Sequence, residues 1–207
     1  PTPIIAVVLV CVVLTGIPDI DEPELLTEVV KELQAVSNLP LQIDTSDPVA
    51  MEKALRYYNG KAMVNSVNGK EEVMNAIFPL VAKYGGFVVC LTIDESGIPE
   101  SVEARINVAK KIIAKAAEFG IDKRDLIFDP LCMTISADTT AALTTLKCVE
   151  IIRNEMGIHT SLGVSNVSFG LPKRNLVNGA FFAAALADSM SWYSPFKFGA
   201  KPPFFLM

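Results

Sequence analysis

Short apolar segments and amphipathic segments alternate along this chain of 207 residues, and this alternation restricts the fold more than any other feature. Apolar runs of strand length occupy 4–14, 39–44, 62–66, 86–94, 126–130 and 159–166. Apolar residues at helical spacing follow each run. Strands that alternate with helices pair in parallel through crossover connections. We therefore predict an α/β fold, a (β/α)8 TIM barrel that forms a single domain over 1–207.

The chain length and the number of strand–helix units do not decide whether the barrel is closed. Closed barrels of this type usually need about 250 residues, and only six strand–helix units can be read in this chain. A Gly-x-Gly-x-x-Gly motif does not follow the first strand, so a dinucleotide-binding fold has no support. We expect a barrel that is incomplete or altered at both ends.

The composition excludes several classes of protein. The net charge is −5 and no cluster of basic residues occurs, which argues against nucleic-acid binding. The apolar run at 4–14 is shorter than the roughly 20 residues of a membrane helix, so we interpret it as a buried strand and expect no membrane association. The cysteines form no C-x-x-C pair and His159 has no partner at metal-ligand spacing. We therefore expect no metal site, and reduced cysteines in a cytoplasmic protein.

Polar residues end four of the predicted strands: Asp44, Asn65, Asp129 and Asn166. In a parallel barrel the carboxyl ends of all strands meet on one face, where functional sites are built. A carboxylate accepts two hydrogen bonds side by side, and a carboxamide both donates and accepts. This combination suits a flat heterocycle with amino and carbonyl groups. The sequence offers no Ser-His-Asp set, cysteine–histidine pair or phosphate-binding loop.

Each of these residues also has a local interpretation. Asp and Asn at strand ends often cap the next helix or stabilise a turn, and we assign Asp47 and Asn68 to such caps. Arg174 could anchor an anionic ligand or remain a solvated loop cation. Phe169 could cover a bound ring or pack beneath its loop.

Several motifs in combination resemble one known family. The folate-binding domain of cobalamin-dependent methionine synthase and the related methyltetrahydrofolate–corrinoid methyltransferases are similar to this chain over about 16–187. The resemblance implies a pterin-binding (β/α)8 barrel, a fold shared with dihydropteroate synthase. The motifs that carry it are LPLQIDTSDP, AMVNSVNGKEE, FPLVAKYGG, GIPES, LIFDPL and GVSNVSFGLPKR.

The resemblance also implies an activity and a set of site residues. The activity is methyl transfer from 5-methyltetrahydrofolate to the cobalt of cob(I)alamin, with the corrinoid held by a separate domain or protein. Asn166 matches the catalytic asparagine that reaches the methyl-bearing ring nitrogen, and the glycine and proline after it suit a mobile loop. The expected pterin-binding residues are Asp44, Asn65, Asp129, Gly163, Ser165, Asn166 and Arg174.

Both ends of the chain depart from the family pattern. Val12 and Leu14 stand where the family carries Asp-x-Asn, and the segment 188–207 has no helical period. An incomplete barrel leaves strand edges unpaired, so we expect compensating segments or a partner chain, for example in a homodimer. Two other functions stay open: a folate-binding module without catalysis, and a dihydropteroate synthase-like enzyme. The latter family carries a basic motif near a late strand, where this chain offers only Lys173 and Arg174.

Overall fold

The computed structural model describes residues 8–11, 21–189 and 204–206, and it contains one parallel sheet whose seven strands follow the chain order from β1 to β7. The strands are β1 (Val8–Cys11), β2 (Leu41–Asp44), β3 (Ala62–Asn68), β4 (Gly86–Leu91), β5 (Leu126–Asp129), β6 (His159–Leu162) and β7 (Phe204–Leu206). The helices are α1 (Glu22–Val36), α2 (Pro48–Tyr57), α3 (Glu71–Tyr84), α4 (Val102–Glu118), α5 (Ala141–Glu150) and α6 (Arg174–Ser189). This is the (β/α)8 architecture with seven strands among the described residues, as expected from the sequence for an incomplete barrel.

Helices α1, α2 and α4 begin where a short polar side chain accepts a hydrogen bond from a free backbone N–H group, at Asp21, Asp47 and Ser101. Asp47 accepts from the N–H of Val49 at 2.9 Å, which confirms it as the cap of α2. Asn68 was wrongly assigned as a cap. Helix α3 begins at Glu71 after Lys70, and Asn68 Oδ1 accepts instead from the Lys70 N–H at 3.0 Å, inside the connecting turn.

Two apolar layers flank the sheet. The larger layer lies between the strands and the helices, and it includes Ile43, Val64, Phe78, Phe128 and Ile112, all of which are fully buried. A smaller cluster of Met63, Val89 and Ile127 fills the opposite, inner face of the sheet. Successive strand residues point to opposite faces. The residue two positions after each of these three therefore also points inward, and these residues are Asn65, Leu91 and Asp129.

Three strands end at residues other than those predicted. Strand β3 continues to Asn68, and its pairing with β4 shifts register between Asn65 and Val67, so Asn65 lies within the strand. Strand β4 stops at Leu91. Strand β6 stops at Leu162, so Asn166 is not a strand end.

The chain ends are described only in part. The segment 204–206 forms β7, which pairs with β6 in parallel and which the sequence did not indicate. Val12, Leu14 and most of the tail at 188–207 lie outside the residues that can be described. Within the described ranges, no helix is both long and apolar enough to cross a membrane.

Candidate functional site

Asp44, Asn65 and Asp129 lie at the same edge of the sheet and on the same face. Asp44 is the register partner of Asn65, which in turn pairs with Val89 of the inner apolar cluster. Asp129 follows Ile127 by two residues and is level with Leu91 of β4. The three side chains therefore line the inner face at the carboxyl edge, with Asp129 nearest the rim and β4 between it and the other two.

Asp129 is buried, with only 6% of its surface exposed. Its Oδ1 accepts a hydrogen bond of 2.8 Å from the Leu131 N–H. Burial raises the pKa of Asp129 to about 6, and backbone N–H groups of Leu131 and Gly163 together with the charge of Arg105 oppose that rise. The Leu131 N–H thus fixes the orientation of the carboxylate, but its hydrogen bonds only partly offset the cost of burying the charge. Such a carboxylate can accept further hydrogen bonds from a ligand.

Asp44 and Asn65 border an open cleft of about 360 Å³. Its polar lining also includes Ser66, Asn68 and Glu72, and its apolar wall comes from the first turns of α3. Asp44 is half-buried at the point where β2 ends. Val73 and Ile77 of that wall belong to the larger apolar layer on the helix side, and Asp129 and Asn166 do not line the cleft, so it is separate from the inner-face space that Asp44, Asn65 and Asp129 share.

Asn166 belongs to a short 3-10 helix, Val164–Ser168, rather than to a strand. Its backbone N–H donates to the Gly163 carbonyl at 3.1 Å, which folds the chain back after β6. A Cβ at Gly163 would lie 3.1 Å from Asn166 Nδ2. The Asn166 amide therefore lies over Gly163, and the Gly163 backbone N–H is among the groups that lower the pKa of Asp129, so this turn lies between Asn166 and Asp129.

Arg174 is the first residue of α6, and its guanidinium binds the preceding turn rather than lying free in a loop. One nitrogen donates to the Ser165 carbonyl at 2.9 Å and another to the Ser168 hydroxyl at 3.1 Å. Its charge also lies 5.8 Å from the centre of the Phe169 ring, which is 67% exposed and so does not pack beneath the loop. Arg174 and the Ser165 carbonyl thus stabilise the turn that carries Asn166.

The loop after Asn166 is more firmly held than its glycine and proline indicated. The hydroxyls of Thr134 and Ser136 donate to the Phe169 carbonyl at 2.8 Å and 3.0 Å. The Ile135 N–H donates to the Val167 carbonyl at 3.1 Å. These bonds join the β5–α5 loop to the turn after β6, and we call them the cross-loop clasp.

Sequence reasoning missed one buried charge beside the site. Arg105 of α4 is 3% exposed, and it donates to the carbonyls of Pro130 and Leu131 next to Asp129. A signal was present, since Arg105 lies on the helical stripe of buried residues that continues through Ala109, Ile112 and Ala116. A charged residue on an apolar stripe indicates a specific buried partner.

The structure places the single histidine away from this edge. His159 opens β6 at the amino end, and its Nδ1 lies 3.3 Å from an Arg153 nitrogen. Burial and the nearby Arg153 charge lower the pKa of His159. Within the described ranges, no three His, Cys, Asp or Glu side chains are grouped as metal ligands.

Sequence comparison finds similarity to methionine synthases and to a methyltransferase. A methionine synthase from Mycobacterium leprae is 32% identical over 162 residues, which is 72% of this chain and 13% of that protein. A methylcorrinoid:tetrahydrofolate methyltransferase from Eubacterium limosum is 31% identical over 161 residues, which is 76% of this chain and 59% of that protein. The chain therefore spans only part of the length of either relative.

Structure comparison finds the same fold in dihydropteroate synthases. The Yersinia pestis protein bound to a pterine-sulfa conjugate has a TM-score of 0.64 at 18% identity, over 83% of this chain and 69% of that one. The 7,8-dihydropteroate synthase from Vibrio fischeri has a TM-score of 0.60 at 19% identity, over 85% of this chain and 68% of that one. At these identities the likeness shows the fold alone. Residues 10–193 match the sequence profile of the pterin binding enzymes, and the chain belongs to that family.

Proposed function

We propose that this chain binds 5-methyltetrahydrofolate at the carboxyl edge of its sheet and transfers the methyl group to the cobalt of a reduced corrinoid. A partner protein or a separate domain would hold the corrinoid. The observation that carries the proposal is the common placement of Asp44, Asn65 and Asp129 on the inner face, together with the turn that lies between Asn166 and Asp129. The methyltransferase named among the relatives supports the same reaction class.

The hydrogen-bonding groups of the site complement those of a pterin ring. A pterin presents amino and ring N–H donors beside a carbonyl, and these match carboxylate acceptors and a carboxamide. Asp129 would accept from the most buried ring donors, and Asp44 and Asn65 would bind the ring edge that lies over β2 and β3. Gly163 and Ser165 would line the ring through their backbone, while Arg174 would act by stabilising that turn.

Asn166 would act on the reacting nitrogen. When the methyl carbon leaves N5 of the folate for cobalt, the carbon–nitrogen bond breaks and its electron pair remains on nitrogen. The nitrogen then takes a proton, which solvent supplies because the amide of Asn166 does not ionise usefully. A hydrogen bond from Asn166 that strengthens as this charge develops stabilises the transition state more than the ground state.

A single-turnover assay tests this role. Transfer from saturating 5-methyltetrahydrofolate to cob(I)alamin should be slower in Asn166→Ala by about 10²–10³-fold, with a smaller change in folate affinity. Asn166→Asp should also be slow, since it replaces the donor with an acceptor at neutral pH. Asn38→Ala, an exposed asparagine between α1 and β2 at the amino end of the strands, is the matched control and should be unaffected.

The outcome also separates the alternative functions. Equal rates for wild type and Asn166→Ala would mean that the asparagine only stabilises its turn. Folate binding without any methyl transfer by the wild type would favour the binding module. Condensation of a pterin diphosphate with 4-aminobenzoate would instead show the dihydropteroate synthase reaction.

We further infer a cytoplasmic location. Cys90, Cys132 and Cys148 are buried free thiols, and burial raises the pKa of Cys132 to about 11. Such thiols suit a reducing compartment. Fractionation of cells that express the protein would test this.

A further inference from the structure

Arg105 and Asp129 are the two charged side chains that are buried within the described part of the chain, at 3% and 6% exposure. Removing a charge from water costs several kcal/mol unless hydrogen bonds compensate for it. The two residues lie on different elements, α4 and β5. Their burial at one edge of the sheet therefore needs a common explanation.

The guanidinium of Arg105 connects two loops through backbone carbonyls. Nε donates to Pro99 of the β4–α4 loop at 2.8 Å. Nη1 donates to Pro130 and Leu131 of the β5–α5 loop, also at 2.8 Å each. This rigid fork of donors is specific to arginine, because a lysine ammonium could not match all three directions.

Leu131 transmits this contact to Asp129. Its φ of 63° is in the left-handed region, which is unfavourable for leucine. In that conformation its N–H donates to Asp129 Oδ1 at 2.8 Å, while its carbonyl accepts from Arg105. The Thr145 hydroxyl lies 3.2 Å from the same carbonyl and supports it from α5.

We infer that Arg105 is a positioning residue for Asp129, which holds the Leu131 turn so that the Asp129 carboxylate faces the inner side of the sheet in the direction needed to bind a pterin. The inference rests on the proposed function for the identity of the ligand, but the hydrogen bonds that join Arg105 to Leu131 and Leu131 to Asp129 do not depend on it. Arg105 acts through the turn and through its positive charge. Among the described residues, Cys132 of the same loop also interacts electrostatically with Asp129 and Arg105, and the charge of Arg105 also favours the ionised forms of Asp138 and Cys148.

A double-mutant cycle separates positioning from general stabilisation. Arg105→Met should weaken binding of 5-methyltetrahydrofolate about tenfold in the wild-type background, equivalent to about 1.4 kcal/mol. In an Asp129→Asn background the same change should weaken binding less than about twofold, because residues that act through one another are not additive. A purely structural role would give the same loss in both backgrounds, which would overturn the inference.

A second readout needs no ligand. The carboxyl carbon of Asp129, followed by NMR in protein with labelled aspartate, should titrate at higher pH in Arg105→Met, because a nearby positive charge has been removed. Arg105→Lys should titrate near the wild-type value yet bind folate more weakly, and it replaces Arg105→Met in the cycle if that variant does not fold. Lys111→Met is the control and should change neither readout, since Lys111 is a half-buried residue of α4 that pairs with Glu95. An unchanged Asp129 titration in Arg105→Met would contradict the inference, whereas a wild type that binds no folate but shows the shift would refute only the proposed function.

Discussion

Asp129 combines two opposing demands at the scale of a single residue. Burial on the inner face disfavours its charge, while the N–H groups of Leu131 and Gly163 and the charge of Arg105 favour it. Because burial is the larger influence, the free carboxyl holds its proton more tightly than an exposed aspartate does. A ligand that donates hydrogen bonds to the carboxylate would shift this balance toward the ionised form.

The raised pKa of Asp129, about 6, makes stability depend on pH. The folded protein keeps this proton between roughly pH 4 and 6, where an unfolded aspartate has lost it, so the free energy of unfolding falls as pH rises through that window. A shift of about two units corresponds to about 3 kcal/mol. In urea unfolding at pH 4 to 7.5, the difference between wild type and Asp129→Asn should change by up to that amount and level off above about pH 6.5. A difference that does not vary with pH would show that Asp129 titrates normally.

Gly163 is required for the space that it leaves rather than for an unusual backbone angle, since its φ is −75°. A methyl group there would lie 3.1 Å from Asn166 Nδ2, so the amide would have to shift by a few tenths of an ångström. Gly163→Ala should therefore slow methyl transfer, though less than the loss of Asn166 does, while the fold is retained. Gly179→Ala in α6, where a new methyl group would meet nothing within 4 Å, should leave the rate unchanged. Full activity of Gly163→Ala would show that the observed position of Asn166 is not the functional one.

At the scale of elements, the cross-loop clasp determines how freely the Asn166 turn can move. Thr134 and Ser136 hold the Phe169 carbonyl, and Arg174 holds the Ser165 carbonyl. A loop held by several hydrogen bonds opens less often than its glycine and proline content would indicate. Replacing the two hydroxyls should therefore loosen the turn without affecting the sheet.

Amide hydrogen exchange tests the clasp. In the double variant Thr134→Val with Ser136→Ala, the amides of Asn166 and Phe169 should exchange faster, by an amount equivalent to about 0.5–1.5 kcal/mol for each lost bond. Amides of β4 should exchange as in wild type and serve as the internal control. Unchanged exchange at Asn166 and Phe169 would mean that the two hydroxyls do not hold the turn, and that Arg174 and the Ile135 N–H bond are sufficient.

The sequence predicted elements well where the signal is local. Strands β2 and β5 end at Asp44 and Asp129 as expected, because an apolar run gives way to a charge followed by a turn residue. Asn65 and Asn166 were misplaced for non-local reasons. The extension of β3 past Asn65 depends on a register shift against β4, and the turn at Asn166 depends on contacts with a separate loop. The hydrophobic pattern of one strand shows neither its register against a neighbouring strand nor its contacts with a distant loop.

At the scale of the whole molecule, the site is assembled from residues that are far apart in the chain. The alternation of strands and helices was sufficient to predict that Asp44, Asn65 and Asp129 would share one edge, because parallel strands align their carboxyl ends. The buried stripe of α4 indicates that Arg105 needs a partner, but the sequence could not show that its partners are backbone carbonyls of another loop. Every residue has a backbone carbonyl, so the residue types in a sequence do not indicate which carbonyls accept hydrogen bonds from a buried arginine.

The outer edges of β1 and β7 have no strand partner among the described residues. Unpaired strand edges are prone to pair with other chains. We therefore propose that a second copy of the chain covers one of these edges, so that the protein is a homodimer. Sedimentation velocity over a range of protein concentrations should show a dimer. A monomer at every concentration would contradict the proposal.

Isothermal titration calorimetry of 5-methyltetrahydrofolate with wild type, Asp44→Ala, Asp129→Ala and Asp47→Ala tests most directly whether the pterin binds at this edge. Loss of a buried hydrogen-bond partner costs about 1–3 kcal/mol, so Asp44→Ala and Asp129→Ala should each bind about 5- to 150-fold more weakly. Asp47→Ala, which removes only the cap of α2, should bind as the wild type does. Unchanged affinity in both Asp44→Ala and Asp129→Ala would remove the pterin site from these strands.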